Sequence, residues 1–229
     1  MSVSRALGDA AAVVWDRLYQ FGRQTAHAFA PDPSERYRGG TRAPVLLLPG
    51  VYETWEFLRP LADALHDRGH PIHTLPELGY NRRLIADSAE LGNRYLRSRD
   101  LRGVILLAHS KGGIIGKRMM VTDDTPARIS RLIAICSPFA GSSLARFAPN
   151  PALRAFHPHN ALLRELAEQR DTNARIVSLY SRLDPLIPGG SRLEGATNIE
   201  LPMVGHFRPL SSVRVLDEVL RATRPEVEE

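Results

Sequence analysis

The sequence predicts an α/β fold, in which a mostly parallel sheet of about six strands is covered by helices on both faces. Short apolar runs rich in branched side chains alternate along the chain with longer segments whose apolar residues recur at helical spacing. This alternation is typical of parallel strands joined by crossover helices. The 229 residues are also enough for one domain to bury a substantial core without disulfides.

Composition narrows the classes of function. The net charge is +5, and only Lys111 and Lys117 among the 30 basic residues are lysines. The arginines are scattered and form no basic stripe interleaved with aromatics, so arginine bias explains the charge better than a nucleic-acid partner does. No run reaches the roughly 18 apolar residues of a membrane span. Asp9, Asp16 and Arg17 would interrupt a secretion signal, and we therefore expect a cytoplasmic location.

The first 43 residues divide into a helix and a linker. Residues 1–30 are predicted to hold an amphipathic helix over about 4–28, with Asp9 and Asp16 on a polar face of mixed charge. One interpretation is that this helix packs on the domain body; the other is that it contacts a membrane or covers the active site. The mixed charge favours the first interpretation. Two prolines and a Gly-Gly pair predict a linker over 31–43.

The remaining chain, from 44 to 225, carries the alternating pattern. Strands are expected at 44–50, 71–77, 104–109, 131–137, 174–181 and 197–203, and helices at 84–99, 114–120, 160–170 and 210–221, with a further helix starting near Pro60. The one long irregular interval, about 138–173, is a predicted small lid or cap above the carboxyl edge of the sheet. The linker is too short and polar to add strands before residue 44.

A candidate nucleophile lies between the third strand and its helix. The stretch Gly103 to Met120 reads GVILLAHSKGGIIGKRMM, with Ser110 at the turn between the apolar run and the helical pattern. Ala108 and Gly112 flank this serine at two residues on either side, and such small side chains are needed where a chain turns this sharply. The following helix would direct its free N–H groups towards a developing oxyanion.

Partners for this serine follow two later strands. Asp184 lies in the turn SRLDPLIP and His206 in the turn VGHFRPL. Carboxyl ends of parallel strands share one edge of a sheet, so a base and its orienting acid are expected beside Ser110. Each residue also has a structural interpretation, as a helix cap, an Asp-Pro turn or a structural histidine. Their order and their positions at strand ends together favour a catalytic triad.

Five motifs carry a resemblance to a known family. LPGVYETW, LAHSKGG, SPFAGS, SRLDPLIP and GHF, in this order, resemble the lipase and esterase branch of the α/β-hydrolase superfamily over about residues 43–225. The resemblance implies a minimal α/β-hydrolase fold and a triad of Ser110, Asp184 and His206. The sequence departs from the family at Ala108, where the elbow usually has glycine, and at Pro49, where histidine is common before the glycine.

The oxyanion hole needs two N–H donors. The backbone N–H of Lys111 is the expected first donor, and the turn after PVLLLPG is expected to supply the second, from Val51 or, as an alternative, from Tyr52. The same positions match the family's donors. The Lys111 side chain is expected either to be solvated or to favour substrates with a nearby anionic group. His109 is expected to support the turn rather than to act as the base.

Together these features predict a lipase-like carboxylic ester hydrolase that uses an acyl-serine intermediate without a cofactor or metal. Its substrate would be a small-molecule or lipid ester with an apolar acyl part, contacted by Tyr52, Phe139 and Phe207. His157 and His159 have no further ligand nearby to complete a metal set. Two alternatives are an acyltransferase on the same fold and a catalytically silent, hydrolase-like binding protein.

Overall fold

The computed structural model describes Asp9, Asp16 and residues 34–122, 128–148 and 150–224. The helix predicted over 4–28 lies outside the described residues except for the two aspartates. Within the predicted linker, Ser34–Arg38 forms a 3-10 helix, and the buried Tyr37 donates its hydroxyl to Asp63 at 2.5 Å. This part of the linker therefore packs against the domain.

The described residues form one six-stranded sheet. Its strands are β1 (Val45–Leu48), β2 (Ile72–His73), β3 (Val104–His109), β4 (Ile129–Ile135), β5 (Ile176–Leu183) and β6 (Thr197–Val204), in the order β2-β1-β3-β4-β5-β6. All neighbouring pairs are parallel, so the predicted sheet is confirmed. The strand expected at 71–77 pairs over two residues only, because Pro76, which has no N–H to donate, starts a 3-10 helix.

Helices connect the strands and cover both faces of the sheet. They are α1 (Arg59–His66), α2 (Ile85–Ser98), α3 (Lys111–Thr122), α4 (Pro151–Arg154), α5 (Ala161–Glu168) and α6 (Val213–Ala222). Pro60 lies in the first turn of α1, as predicted, and the Asn160 side chain caps α5 by accepting from Leu162 N at 2.9 Å. In the described part of the chain, no helix has both the length and the apolar character to cross a bilayer.

The core lies on both faces of the sheet. Side chains of a strand alternate between its two faces, and in β1 this assigns Leu46 and Leu48 to one apolar cluster and Val45 and Leu47 to the other. Helices α2, α3 and α5 cover the first cluster, while α1 and α6 cover the second. Because β3 is buried along its whole length at the centre of the sheet, the turn that follows it is held rigidly.

Both lysines lie on α3, and both are buried. Burial lowers the pKa of Lys117 from 10.5 to about 8, because desolvation disfavours the ammonium form. Its penalty on folding is therefore present below pH 8 and fades as the pH rises from about 8 to 10.5.

We expect Lys117→Met to raise the free energy of unfolding at pH 7 by on the order of 2 kcal/mol, and to raise it by much less at pH 10. Urea unfolding of both proteins at the two pH values measures this difference. An equal effect at both pH values would contradict the pKa shift.

Candidate active site

Ser110 occupies a strained turn between β3 and α3. Its φ of 51° lies in the left-handed region, which is rare for a residue with a side chain and is typical of functional sites. Its N–H donates to Ile135 O at 2.9 Å, which anchors the turn to the end of β4. The side chain is thus held at the carboxyl edge of the central strands.

Two glycines make this turn possible. A Cβ atom on Gly112 would lie 1.9 Å from Leu48 O, and one on Gly113 would lie 2.1 Å from Ser137 Oγ. Both distances are far too short for non-bonded atoms, so α3 can approach β1 and β4 this closely only with glycine at the two positions. The small residues that identified the turn in the sequence are required by its packing.

Asp184 and His206 form a hydrogen-bonded pair after β5 and β6. His206 Nδ1 and Asp184 Oδ2 are 2.7 Å apart, and both side chains are buried. The other carboxylate oxygen, Asp184 Oδ1, accepts from Leu186 N at 2.8 Å and from Ile187 N at 3.2 Å. With both oxygens engaged, the carboxylate orients the imidazole so that Nε2 is free for proton transfer.

Asp16 holds the loop that carries His206. Its Oδ2 accepts from the backbone N–H of His206 at 2.9 Å, and its Oδ1 accepts from those of Phe207 and Arg208, each at 2.7 Å. A Cβ on Gly205 would lie 2.6 Å from Asp16 Oδ1, so the loop needs glycine to receive this carboxylate. Asp16 was expected on a polar helix face, but it is buried, because three backbone donors satisfy its charge.

A second histidine–carboxylate pair lies beneath the site. His109 Nδ1 is 2.8 Å from Glu53 Oε1, and His109 Nε2 is 3.0 Å from the carbonyl oxygen of His206. Burial disfavours the charged imidazole, but the Glu53 carboxylate, the His206 carbonyl and Asp184 together outweigh burial and raise the pKa of His109. His109 therefore supports the His206 loop, whereas the sequence led us to expect support of the Ser110 turn.

The turn after β1 offers one free N–H. Gly50 N donates to Glu53 Oε2 at 2.8 Å, and Tyr52 N donates to Tyr80 O at 2.8 Å. In the described part of the chain, neither Val51 N nor Lys111 N has a hydrogen-bond partner. Of the two donors expected in this turn, Tyr52 is therefore already engaged and Val51 is available.

The Lys111 side chain points away from Ser110 into the protein. It is fully buried, and its Nζ donates to the carbonyl oxygens of Asn81, at 2.8 Å, and of Arg83. Asn81 in turn donates from Nδ2 to Pro49 O at 2.7 Å. Both expectations for this ammonium group were wrong: it is neither solvated nor available to a substrate, because it is buried and holds a loop that braces the turn containing Val51.

A cavity of about 350 Å³ opens beside Ser110 and His206. Its wall is largely apolar, and half of its lining comes from the interval 138–173: Pro138, Ser142, Leu144, Ala145, Phe147, Ala148, Leu153 and Phe156. Tyr52 and Phe207 also line it, as expected. No hydrogen bond joins Ser110 to His206 among the residues described, and in unliganded sites such contacts often form only with substrate bound.

Phe139 is not part of this cavity. It was expected to contact the substrate, but its ring is buried in the apolar cluster with α3 and α5, and it lines a separate cavity beside Lys117. The chain turns after Ser137, where Phe139 N donates to Ser137 O at 2.9 Å. The two neighbours therefore line different cavities, Pro138 that of Ser110 and Phe139 the one beside Lys117.

One group of possible metal ligands occurs in the described part of the chain. Atoms of Cys136, Asp184 and His206 lie within 4.8 Å of one another. The His206 nitrogen nearest the carboxylate is already bound to it at 2.7 Å. Burial raises the pKa of the Cys136 thiol far above its ordinary value, whereas a metal needs the thiolate. These residues fit a proton-transfer site better than a metal centre.

Comparison with known proteins finds similarity in structure but not in sequence. Its sequence matches no family model and no curated protein. Its structure is similar to the mature lipase BlEst2 of Bacillus licheniformis, with a TM-score of 0.65 and 16% identity over 86% of this chain and 95% of that one. An extracellular α/β-hydrolase from a Paenibacillus species has a TM-score of 0.56 and 18% identity, over 80% of this chain and 100% of that one. An α/β-hydrolase fold protein from Burkholderia ambifaria has the same TM-score and 19% identity, over 80% of this chain and 91% of that one.

Three supporting residues were missed in the sequence: Asp16, Glu53 and Asn81. Each contacts a group that is distant in the chain: Asp16 is separated from its partners by 190 to 192 positions, Glu53 from His109 by 56 and Asn81 from Pro49 by 32. Neither an aspartate beside an arginine nor a glutamate in a turn carries a local signal of burial. The glycines that these carboxylates approach are a weak signal: a Cβ on Gly205 would lie 2.6 Å from Asp16 Oδ1, and one on Gly50 would lie 2.4 Å from Glu53 Oε1.

Proposed function

The chain has the α/β-hydrolase fold, and on that fold we propose that it cleaves carboxylic esters through an acyl-serine intermediate. The observation that carries the proposal is the shared cavity of Ser110 and His206, with His206 Nδ1 bound to Asp184 at 2.7 Å. A strained serine, an oriented imidazole and a buried carboxylate are the parts that acyl transfer to serine requires.

In the proposed reaction, Ser110 Oγ attacks the ester carbonyl carbon and His206 Nε2 takes the hydroxyl proton. Asp184 stabilises the resulting imidazolium and holds its tautomer. The tetrahedral oxyanion accepts hydrogen bonds from the free N–H groups of Val51 and Lys111. Its collapse breaks the bond to the alkoxy oxygen, which leaves as the alcohol with the proton from His206. Water, deprotonated by His206, then releases the acid and restores Ser110.

The apolar wall supports an ester with an apolar acyl or alcohol part. Leu144, Phe147, Leu153 and Phe156 face the cavity, and burial of methylene groups against such side chains contributes about 0.8 kcal/mol each. Among the lining residues that the structure describes there is no lysine or arginine, and these residues therefore provide no counter-ion for an anionic substituent. We therefore expect nitrophenyl esters with acyl chains of a few carbons to react faster than the acetate.

Labelling with a fluorophosphonate probe tests the proposed nucleophile. We expect the wild-type protein to be labelled and Ser110→Ala to be unlabelled, because the probe forms a stable bond only with an activated serine. Gel fluorescence after equal exposure, followed by mapping of the labelled peptide, gives the measurement.

Ser143→Ala provides the matched control, since Ser143 is an exposed serine outside the cavity lining. It should be labelled as the wild type is. Labelling that persists in Ser110→Ala, or a wild-type protein that is not labelled at all, would overturn the proposal.

A further inference from the structure

A second cavity, of about 190 Å³, lies beside α3 and shares none of its described lining residues with the Ser110 cavity. Apolar and basic side chains line it together. The apolar part consists of Ile114, Phe139, Ala140, Leu166, Ala167 and Leu193, and the polar part consists of Lys117, Arg170, Asn173, Arg192 and Glu194. No step of the proposed reaction uses any of these residues.

The buried ammonium group of Lys117 is the feature of this cavity that needs an explanation. It is 2% exposed, and among the residues that the structure describes its ammonium group has no hydrogen-bond or ion-pair partner. Lys111, on the same helix and equally buried, is satisfied by two backbone carbonyls. A buried charge without a partner is costly, so a group that supplies the missing acceptor would be bound favourably.

The other polar groups make the cavity electropositive. Glu194, its one carboxylate, lies 3.6 Å from the Arg170 guanidinium, and both side chains are largely exposed. Arg192 is also exposed and has no partner in the described parts of the chain. Arg170 and Glu194 neutralise each other. Lys117, which is buried, and Arg192, which is exposed, therefore remain as the cations of the described lining that have no ion-pair partner. The amide oxygen Asn173 Oδ1 is buried and unpaired, but it is a neutral acceptor and adds no positive charge.

We propose that this cavity is a binding site for a small organic carboxylate. The carboxylate would accept from the Lys117 ammonium and from the Arg192 guanidinium, whose planar fork matches two carboxylate oxygens. A short alkyl part would lie against Phe139, Leu166 and Ile114. An inorganic anion would satisfy the cations but would leave this apolar wall uncovered, and the combination of wall and cations favours an amphipathic ligand.

Calorimetric titration with butyrate, with inorganic phosphate as the second arm, tests the site. We expect the wild-type protein to bind butyrate with a Kd on the order of 1 mM. Lys117→Met should weaken binding at least about tenfold, because a desolvated charge contact is lost. Arg192→Gln should weaken it less, since that side chain is exposed. Phosphate should bind more weakly than butyrate.

Arg224→Gln is the matched control, because Arg224 is an exposed arginine outside this cavity, and it should bind butyrate as the wild type does. Absence of butyrate binding would overturn the proposal, as would equal affinity in the wild type, Lys117→Met and Arg192→Gln. Tighter binding of phosphate would overturn the ligand class. Butyrate held in the Ser110 cavity would be insensitive to both substitutions, so the result is independent of the proposed ester hydrolysis.

Discussion

Asp184→Asn is expected to lower kcat for nitrophenyl butyrate about 10⁴-fold while KM changes little. The carboxylate accepts from His206 Nδ1 at 2.7 Å and from the N–H groups of Leu186 and Ile187. An asparagine that keeps its oxygen on these backbone donors presents its NH₂ group to His206. The imidazole must then accept at Nδ1 and carry its proton on Nε2, which is the tautomer that cannot take a proton from Ser110.

Asp217→Asn serves as the control for this substitution. Asp217 is exposed on α6, outside the Ser110 cavity, and its replacement should leave kcat unchanged. Steady-state kinetics with the ester, combined with the far-UV circular dichroism of each variant, separates loss of catalysis from loss of fold. An Asp184→Asn protein that retains more than about a tenth of the wild-type kcat would rule out Asp184 as the orienting acid.

The fold was predictable because parallel strands have a strong sequence signal. Strands β1 and β3 are buried along their whole length, so they appear as continuous apolar runs such as 104–108 in β3. The weakest assignment was the edge strand β2, which pairs with β1 alone and over two residues. The buried residues continue to Leu75, but the hydrogen-bonded strand ends at His73. The sequence pattern reports burial and does not show where strand pairing ends.

The shared position of Ser110, Asp184 and His206 at one edge of the sheet was predictable for a topological reason. Residues that directly follow parallel strands must gather at one edge of the sheet, so Asp184 and His206 could be assigned from strand ends alone. No comparable rule predicts the direction of side chains that lie several residues after a strand. Phe139 also follows a strand, β4, yet its ring packs in the apolar core and lines a separate cavity beside Lys117.

The motif around Ser110 predicted the position of the Lys111 backbone but not the direction of the Lys111 side chain. Its backbone N–H lies beside Ser110 whatever the side chain does, so its position in the motif predicted the donor. The direction of the side chain depends on Asn81, which has a φ of 49° and directs its carbonyl towards Nζ. That contact joins residues 30 positions apart, and it links the helix bearing Ser110 to the loop that braces Val51.

Asp16→Ala is expected to lower kcat on the order of 10²-fold, because an active-site group displaced by about 1 Å loses that much. The substitution removes the acceptor from three backbone N–H groups, the buried ones of His206 and Phe207 and the partly buried one of Arg208. His206 would keep its bond to Asp184, but its backbone would be free to move. KM should change little, since Asp16 does not line the Ser110 cavity.

Asp9→Ala distinguishes positioning of His206 from general docking of the N-terminal segment. Asp9 forms a partly exposed ion pair with Arg182 at 3.0 Å, and such pairs contribute about 1 kcal/mol or less. Its loss should leave kcat within about twofold of the wild type. If both variants lose the same activity, the segment acts by covering the domain. If Asp16→Ala alone loses activity and keeps its KM, residues at the two ends of the chain form one catalytic unit, because Asp16 fixes the backbone of the base.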